Sequence, residues 1–296
     1  MADPSAFGRA VAPLRRLLPA RFRSDIPIVP VVRLVGVIGI STPFKPGLTL
    51  ASVARVLERA FSMRNIKEVA LAINLPGGSA VQSHLIHHRI RTLANEKKVP
   101  VTAFVEDVAA SGGYMIACAA DEIVCDPASL VGSIGVIGGS FGFNKLIEKL
   151  GIERRIYTSG ERKAMLDPFL PENPEDVERL KAIQREVHDG FIELVKARRH
   201  GKLDSRETAL FSGEYWTGQR ARELGLVDAI GDLRGVLRER YGEAVRLPLI
   251  AERGLFGRRL PGVHRGDPEL LWNEPSLAED MVATLEARAL WARYGL

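Results

Sequence analysis

The sequence predicts an α/β domain built on a largely parallel sheet. Short β-branched and apolar runs alternate with segments of helical spacing, and glycine-rich turns join a run to the helix after it. No fixed-period repeat and no long low-complexity block interrupts this alternation. At 296 residues, 46% hydrophobic and 26% charged, the chain can bury a sizeable core without disulfides or metals.

Taken in order, Ile28 to Ile38 is dominated by β-branched and apolar residues and reads as a buried strand. Thr49 is placed to cap a helix from Leu50 to Ser62, with Val53, Val56, Leu57 and Ala60 on one face. Glu68 to Asn74 is a second strand, and Pro76-Gly77-Gly78-Ser79 is the turn into a helix over Ala80 to Asn95. Val99 to Val105 is a strand, Asp107 to Ala110 a small-residue connection and Ser111 to Ala119 a short helix. Glu122 to Cys125 follows as a strand, then Val131 to Gly139 as a glycine-rich extended stretch. A helix over Gly142 to Leu150 and a strand over Glu153 to Thr158 precede a long amphipathic helix, Pro174 to Arg199. Thr217 to Leu224 reads as a helix, Leu226 to Ile230 as a strand and Leu233 to Tyr241 as a helix. Pro248 to Glu274 is rich in Arg, Gly and Pro and reads as loop, before a terminal helix over Leu277 to Tyr294. Three regions result: an Arg-rich tail over 1–27, a catalytic-size domain over 28–247 and an extension over 248–296.

Composition excludes several classes. The net charge of +5, from 41 basic against 36 acidic residues, is too small and too dispersed for nucleic-acid binding. Cys118 and Cys125 sit in apolar stretches as free buried thiols, which leans towards a reducing compartment. No run reaches the ~20 apolar residues of a membrane helix. The tail alternates Arg9, Arg15, Arg16, Arg21 and Arg23 with Phe7, Leu14, Leu17 and Phe22. That pattern suits an anionic membrane surface, an organellar transit peptide or a basic tail docked on its own domain. A cytoplasmic location, or a peripheral one on the inner face of a bacterial-type membrane, is the expectation. His84, His87 and His88 have helical spacing without a Cys or acid to complete a metal site, so a solvated face is the reading and no metal or cofactor is expected.

Three places hold candidate chemistry. The Asn74-to-Ser79 turn offers unobstructed glycine amides at a helix start, which suits an oxyanion; a plain turn is the alternative. Ala110-Ser111-Gly112-Gly113-Tyr114 opens the next helix, and Gly112 can point its N–H at the same oxyanion; taken alone, Ser111 reads first as an N-cap. Tyr157 to Lys163 ends in a lysine that, alone, reads as a surface charge. A serine nucleophile needs a base, and no histidine lies between Ser111 and His188. A lysine serves only when neutral, so burial must lower its pKa and a hydroxyl must orient the amine. Ser133, inside an apolar glycine-rich stretch, is a candidate for that hydroxyl or a serine satisfied by backbone.

Taken together, the Pro-Gly-Gly turn at 76–78, Ala-Ser-Gly-Gly-Tyr at 110–114, Val-Gly-Ser-Ile-Gly-Val at 131–136 and Ser-Gly-Glu-Arg-Lys at 159–163 resemble the S49 peptidases, the signal peptide peptidase A and SohB group. Trp216 to Gln219 and Glu223 to Asp228 fit the family's later segment, so the resemblance runs from about Val32 to Leu237. It implies a Clp/crotonase-like fold of repeated β-β-α units and a Ser–Lys dyad of Ser111 and Lys163. It further implies Ser133 as the lysine-orienting residue and Gly78 and Gly112 as oxyanion-hole amides. Both dyad residues lie in one domain, as in the family's short form, whose homo-oligomeric rings or domes imply unfolded or membrane-released peptides as substrates. The usual short bacterial member carries a membrane anchor, in whose place this chain has the Arg-rich tail. Two other readings compete: a crotonase-type acyl-CoA enzyme, which would use acids over the same amides, and a catalytically inactive oligomeric scaffold.

Overall fold

The computed structural model describes residues 26–40, 47–160, 162–204, 206–251 and 277–296. Eight strands and eight α-helices are present among them: β1 (Val31–Val35), α1 (Leu50–Phe61), β2 (Val69–Leu75), α2 (Ala80–Lys97), β3 (Val101–Ala110), α3 (Gly112–Ala117), β4 (Glu122–Cys125) and β5 (Leu130–Gly132) come first. Then follow α4 (Asn144–Lys149), α5 (Pro174–Arg198), β6 (Tyr215–Thr217), α6 (Gly218–Glu223), β7 (Ala229–Ile230), α7 (Leu233–Tyr241), β8 (Leu249–Ile250) and α8 (Leu277–Ala292).

The strands form one mixed sheet in the order β6-β5-β3-β2-β1-β8, with β4 on β3 and β7 on β4. Every pairing is parallel except β5 with β6. The long β3 therefore has β2 along one edge, while its first half pairs with β4 and its second half with β5. Its residues alternate between two cores. Val101, Ala103, Val105 and Ala109 face the layer of α1, α2 and α3, whereas Phe104 faces a smaller cluster capped by Leu237 of α7. Val108 and Ala110 pack instead against Trp291 and Tyr294 at the end of α8. Burial on both faces is what a near-continuous apolar strand such as β2 requires.

The expected helices form, and Thr49 caps α1 in a reciprocal box with Ser52. Four expectations change. Asp107 to Ala110 continues β3, because Val108–Ala110 find parallel partners in β5. Glu153 to Thr158 is not a strand; it is an almost wholly exposed stretch that meets no partner strand among the described residues. The strand expected from Leu226 shrinks to β7, since the Leu226 and Val227 amides turn back to the Ala221 carbonyl and close α6 instead. Leu249 and Ile250, read as loop, extend the sheet beyond β1. The Arg-rich tail up to residue 25 and the loop over 252–274 lie outside the described residues.

A second layer of interactions ties the α6–β7 connection to the core. Arg199, 3% exposed, donates to the Gly225 carbonyl and to Asp228, which also accepts from Lys202 and the Ile123 amide. Tyr114 of α3 is fully buried and donates its hydroxyl to the Leu226 carbonyl at 2.8 Å. The Glu223-to-Asp228 motif is thus explained as the anchor of the helix that Ser111 opens.

Candidate active site

The C-terminal ends of β1, β2, β3 and β5 converge where three sequence motifs meet. β2 passes into Pro76-Gly77-Gly78, with φ of 116° and 136° at the two glycines. This turn is bound to the end of the β1 segment: the Ile38 amide donates to Gly77 and its carbonyl accepts from Ser79. A Cβ at Gly78 would lie 2.2 Å from the Ile38 carbonyl oxygen, so only glycine fits. Ser79 then caps α2 through Gln82.

Ser111 stands at the corner between β3 and α3, with φ 52° and ψ −122°. A non-glycine residue in that conformation is held there by its surroundings and is characteristic of functional sites. Here the Ser111 amide donates to the Gly132 carbonyl at 2.8 Å, and its carbonyl accepts from Met115. Ser111 takes the N-cap position that the sequence suggested, but its side chain makes no cap hydrogen bond. Gly77 lies directly against it; a Cβ there would sit 3.0 Å from Ser111 Cβ and 3.4 Å from its Oγ. Such a strained serine between strand and helix has the geometry of a nucleophile elbow.

The two glycines after Ser111 are close-packed. A Cβ on Gly112 would meet Ser83 Oγ at 2.2 Å, and one on Gly113 the Leu75 carbonyl at 2.4 Å. Among the described residues neither Gly78 nor Gly112 spends its backbone N–H on a hydrogen bond. Two open amides therefore lie next to the Ser111 corner, one following in the chain Gly77, which packs on Ser111, and one on the first residue of α3. That arrangement can hold a developing negative oxygen.

Ser133 follows the carbonyl that holds Ser111. It is buried, at φ 53°, and its amide donates to Glu214 at 2.6 Å. The next carbonyl, of Ile134, is held by His188 Nε2 of α5 at 3.1 Å. The structure thus brings Ser111, Gly78, Gly112 and the Ser133 strand end to one place.

Lys163 is elsewhere in the single chain. Its amide donates to the Gly160 carbonyl, and its side chain is exposed over a shallow surface pocket with Ser159 and Arg162. Its amine makes no hydrogen bond or ion pair among the described residues, Ser111 and Ser133 included. The burial expected of a basic lysine is not present in one copy. The surrounding segment is also uncovered, with Ile137, Phe141, Leu146, Leu150, Ile152 and Tyr157 all exposed.

Cys118, Cys125 and the histidine group lie apart from the Ser111 contacts. Cys118 and Cys125 are buried free thiols whose pKa values burial pushes up to about 12, so neither is a thiolate nucleophile. No metal-holding cluster of His, Cys and acids exists among the described residues. His87 is buried rather than solvated, its Nε2 unpartnered and its pKa lowered to about 4 by burial and then by Arg198. Sequence reasoning held Gly113, Tyr114 and Asn74 within its motifs but gave none of them a role. The polar Asn74 at the end of an otherwise apolar run was the available signal for the last of these.

A Brucella abortus protein named Na(+)/H(+) antiporter NhaA is 53% identical over 287 residues, which is 96% of this chain but 39% of that protein. The chain therefore spans about two fifths of the Brucella relatives it matches. A Methanocaldococcus jannaschii protein named as a candidate protease is 32% identical over 218 residues, 70% of this chain and 69% of its own. The Arabidopsis thaliana serine protease SPPA, chloroplastic, is 36% identical over 183 residues, covering 60% of this chain and 27% of that one. The model of peptidase family S49 matches residues 93–244, about half of the chain, and that span contains Ser111, Ser133 and Lys163. The chain belongs to peptidase family S49.

Proposed function

We propose that this S49 peptidase is a serine endopeptidase on a Clp/crotonase-like fold, with Ser111 as nucleophile, Lys163 as general base and Ser133 orienting the lysine. The observation that carries the reading is Ser111 itself: a serine at positive φ between β3 and α3, with no capping bond, facing a glycine turn with open amides. Neutral Lys163 takes the Ser111 hydroxyl proton as Oγ bonds to the peptide carbonyl carbon. The amides of Gly78 and Gly112 hold the resulting oxyanion. The C–N bond then breaks as the lysine returns its proton to the leaving amine, giving an acyl-enzyme. Water adds to the ester with Lys163 again taking and returning a proton, which frees Ser111.

The exposure of Lys163 supports a homo-oligomer, ring- or dome-like, in which the lysine is buried at the serine. The uncovered apolar residues of 137–157, together with Ile183 and Val187 on α5, are the kind of surface that such assembly covers. Unfolded or membrane-released peptides are the substrate class that an enclosed assembly admits. Peripheral contact with anionic membrane falls to the Arg-rich N-terminus, which lies outside the described residues. The proposal rests on the S49 match and not on the antiporter name. No helix among the described residues is long and apolar enough to cross a membrane.

Cleavage of casein by wild type, Ser111→Ala, Lys163→Ala and Ser133→Ala, with assembly followed by light scattering, tests the reading. Loss of turnover in the first two variants with assembly retained is the expected result, with a partial loss in Ser133→Ala. Wild-type turnover in Ser111→Ala removes the proposal. Binding of an acyl-CoA in place of proteolysis brings forward the crotonase alternative.

A further inference from the structure

We propose that Asn74 and Asp107 form a positioning pair that sets the register between the oxyanion turn and the nucleophile; the inference rests on the Ser111 reading above. The pairing of β2 with β3 is regular from Val69↔Val101 to Ile73↔Val105, and then resumes at Leu75↔Ala109. β3 thus spends four residues where β2 spends two, and Glu106 to Val108 form the bulge. The consequence is local. With Leu75 beside Ala109, the next steps along both strands put Gly77 beside Ser111, as observed. Without the bulge, Ser111 would overshoot the glycine turn by two residues, about 6–7 Å at ~3.3 Å per residue.

Hydrophobic patterning does not choose between these registers. A one-residue slip exchanges the faces of a strand, but a two-residue slip restores them. Something other than burial must hold the bulge. On one side Asn74 Nδ2 donates to Asp107 Oδ2 across it, and the Asn74 carbonyl accepts from the Gly36 amide, so β1, β2 and β3 are linked at this level. On the other side the buried Ser129 hydroxyl bonds the Glu106 carbonyl. Asn74 is 9% exposed and its Oδ1 is buried without a partner. An apolar residue would fill that place without an orphaned oxygen, so the amide is held for the hydrogen bond its other end makes. Arg33 of β1 is committed to Glu106 at 3.0 Å, which leaves Asp107 as the carboxylate facing position 74.

Four forms of the full chain test the pair: Asn74→Leu, Asn74→Asp, the exchange Asn74→Asp with Asp107→Asn, and Ser111→Ala as reference. Turnover, KM, the rate of Ser111 labelling by a fluorophosphonate and the thermal midpoint are measured on each. Asn74→Leu should lose turnover and labelling about 100-fold, the scale of an ångström-level misplacement, with KM within a few-fold and the midpoint not lowered. Asn74→Asp opposes two carboxylates, so its activity relative to wild type should rise as pH falls and the pair takes up a proton. The exchanged pair restores one donor and one acceptor and should recover to within about tenfold at neutral pH. Wild-type turnover and labelling in Asn74→Leu, or an exchanged pair as impaired as Asn74→Asp, overturns the proposal. If Asn74→Leu fails to fold, the exchanged pair and the pH ratio of Asn74→Asp decide alone. Failure of the Ser111 reading is seen separately, as cleavage by Ser111→Ala.

Discussion

Replacing Gly78 by alanine challenges the oxyanion turn at one atom. The added Cβ would lie 2.2 Å from the Ile38 carbonyl oxygen, 2.8 Å from its amide nitrogen and 2.9 Å from its carbonyl carbon. All three are backbone, so no side chain can swing away. Reaching an ordinary separation of about 3.4 Å requires about 1.2 Å of movement between the turn and the Ile38 segment. That movement opens the Ile38–Gly77 and Ser79–Ile38 hydrogen bonds, and alanine at φ 136° adds conformational strain of roughly 1–3 kcal/mol. For a domain of this size such a loss lowers the melting midpoint by roughly 2–12 °C. The Gly78 amide moves with the turn, and loss of one oxyanion donor costs about 10²–10³ in turnover. The assay is casein cleavage with parallel thermal denaturation, at a temperature where the variant is fully folded. A folded Gly78→Ala protein with wild-type turnover would refute the placement of the oxyanion at this turn.

Three further outcomes are expected. Turnover of the wild type should rise from neutral to alkaline pH as the proposed base loses its proton, and a flat profile over that range counts against lysine. Stability should fall as the medium is acidified from 6.5 towards 4, because buried His87 resists the proton that the unfolded chain takes up. Its pKa of about 4 corresponds to roughly 3 kcal/mol, visible in urea unfolding at the two ends and absent in His87→Gln. Equal acid sensitivity in that variant would place the cause elsewhere. Asp228→Asn leaves Arg199 buried without its carboxylate and should cost about 3 kcal/mol in urea unfolding, with near-neutral cost arguing against the anchor role.

Much of the candidate site was readable before folding because its residue pattern is local. Gly77, Gly78, Gly112 and Ser111 are adjacent to one another in two short motifs, and each motif declares its own turn. Their mutual approach needs β2 and β3 as neighbours in the observed register. The reading faltered where local chemistry is ambiguous. Asp107 to Ala110 are residues of a connection by composition, yet parallel partners in β5 make them strand. Ile156 and its neighbours carry strand propensity, but a strand needs a partner and the chain supplies none there among the described residues. His87 sat on a face read as solvated, and packing buries it.

By itself, the amino-acid sequence determined the alternation of strands and helices, the glycine turns, the free thiols and the serine motif with its family. These depend on periodicity and on backbone freedom, which neighbouring residues specify. Only tertiary structure decided the register of β2 on β3, the strained conformation of Ser111 and the exposure of Lys163 in a single chain. Each of those depends on contacts between residues far apart in the chain. A two-residue slip leaves every apolar face intact, so the pattern that selects the fold leaves open which amide meets the nucleophile. Packing and one polar pair across a bulge make that choice.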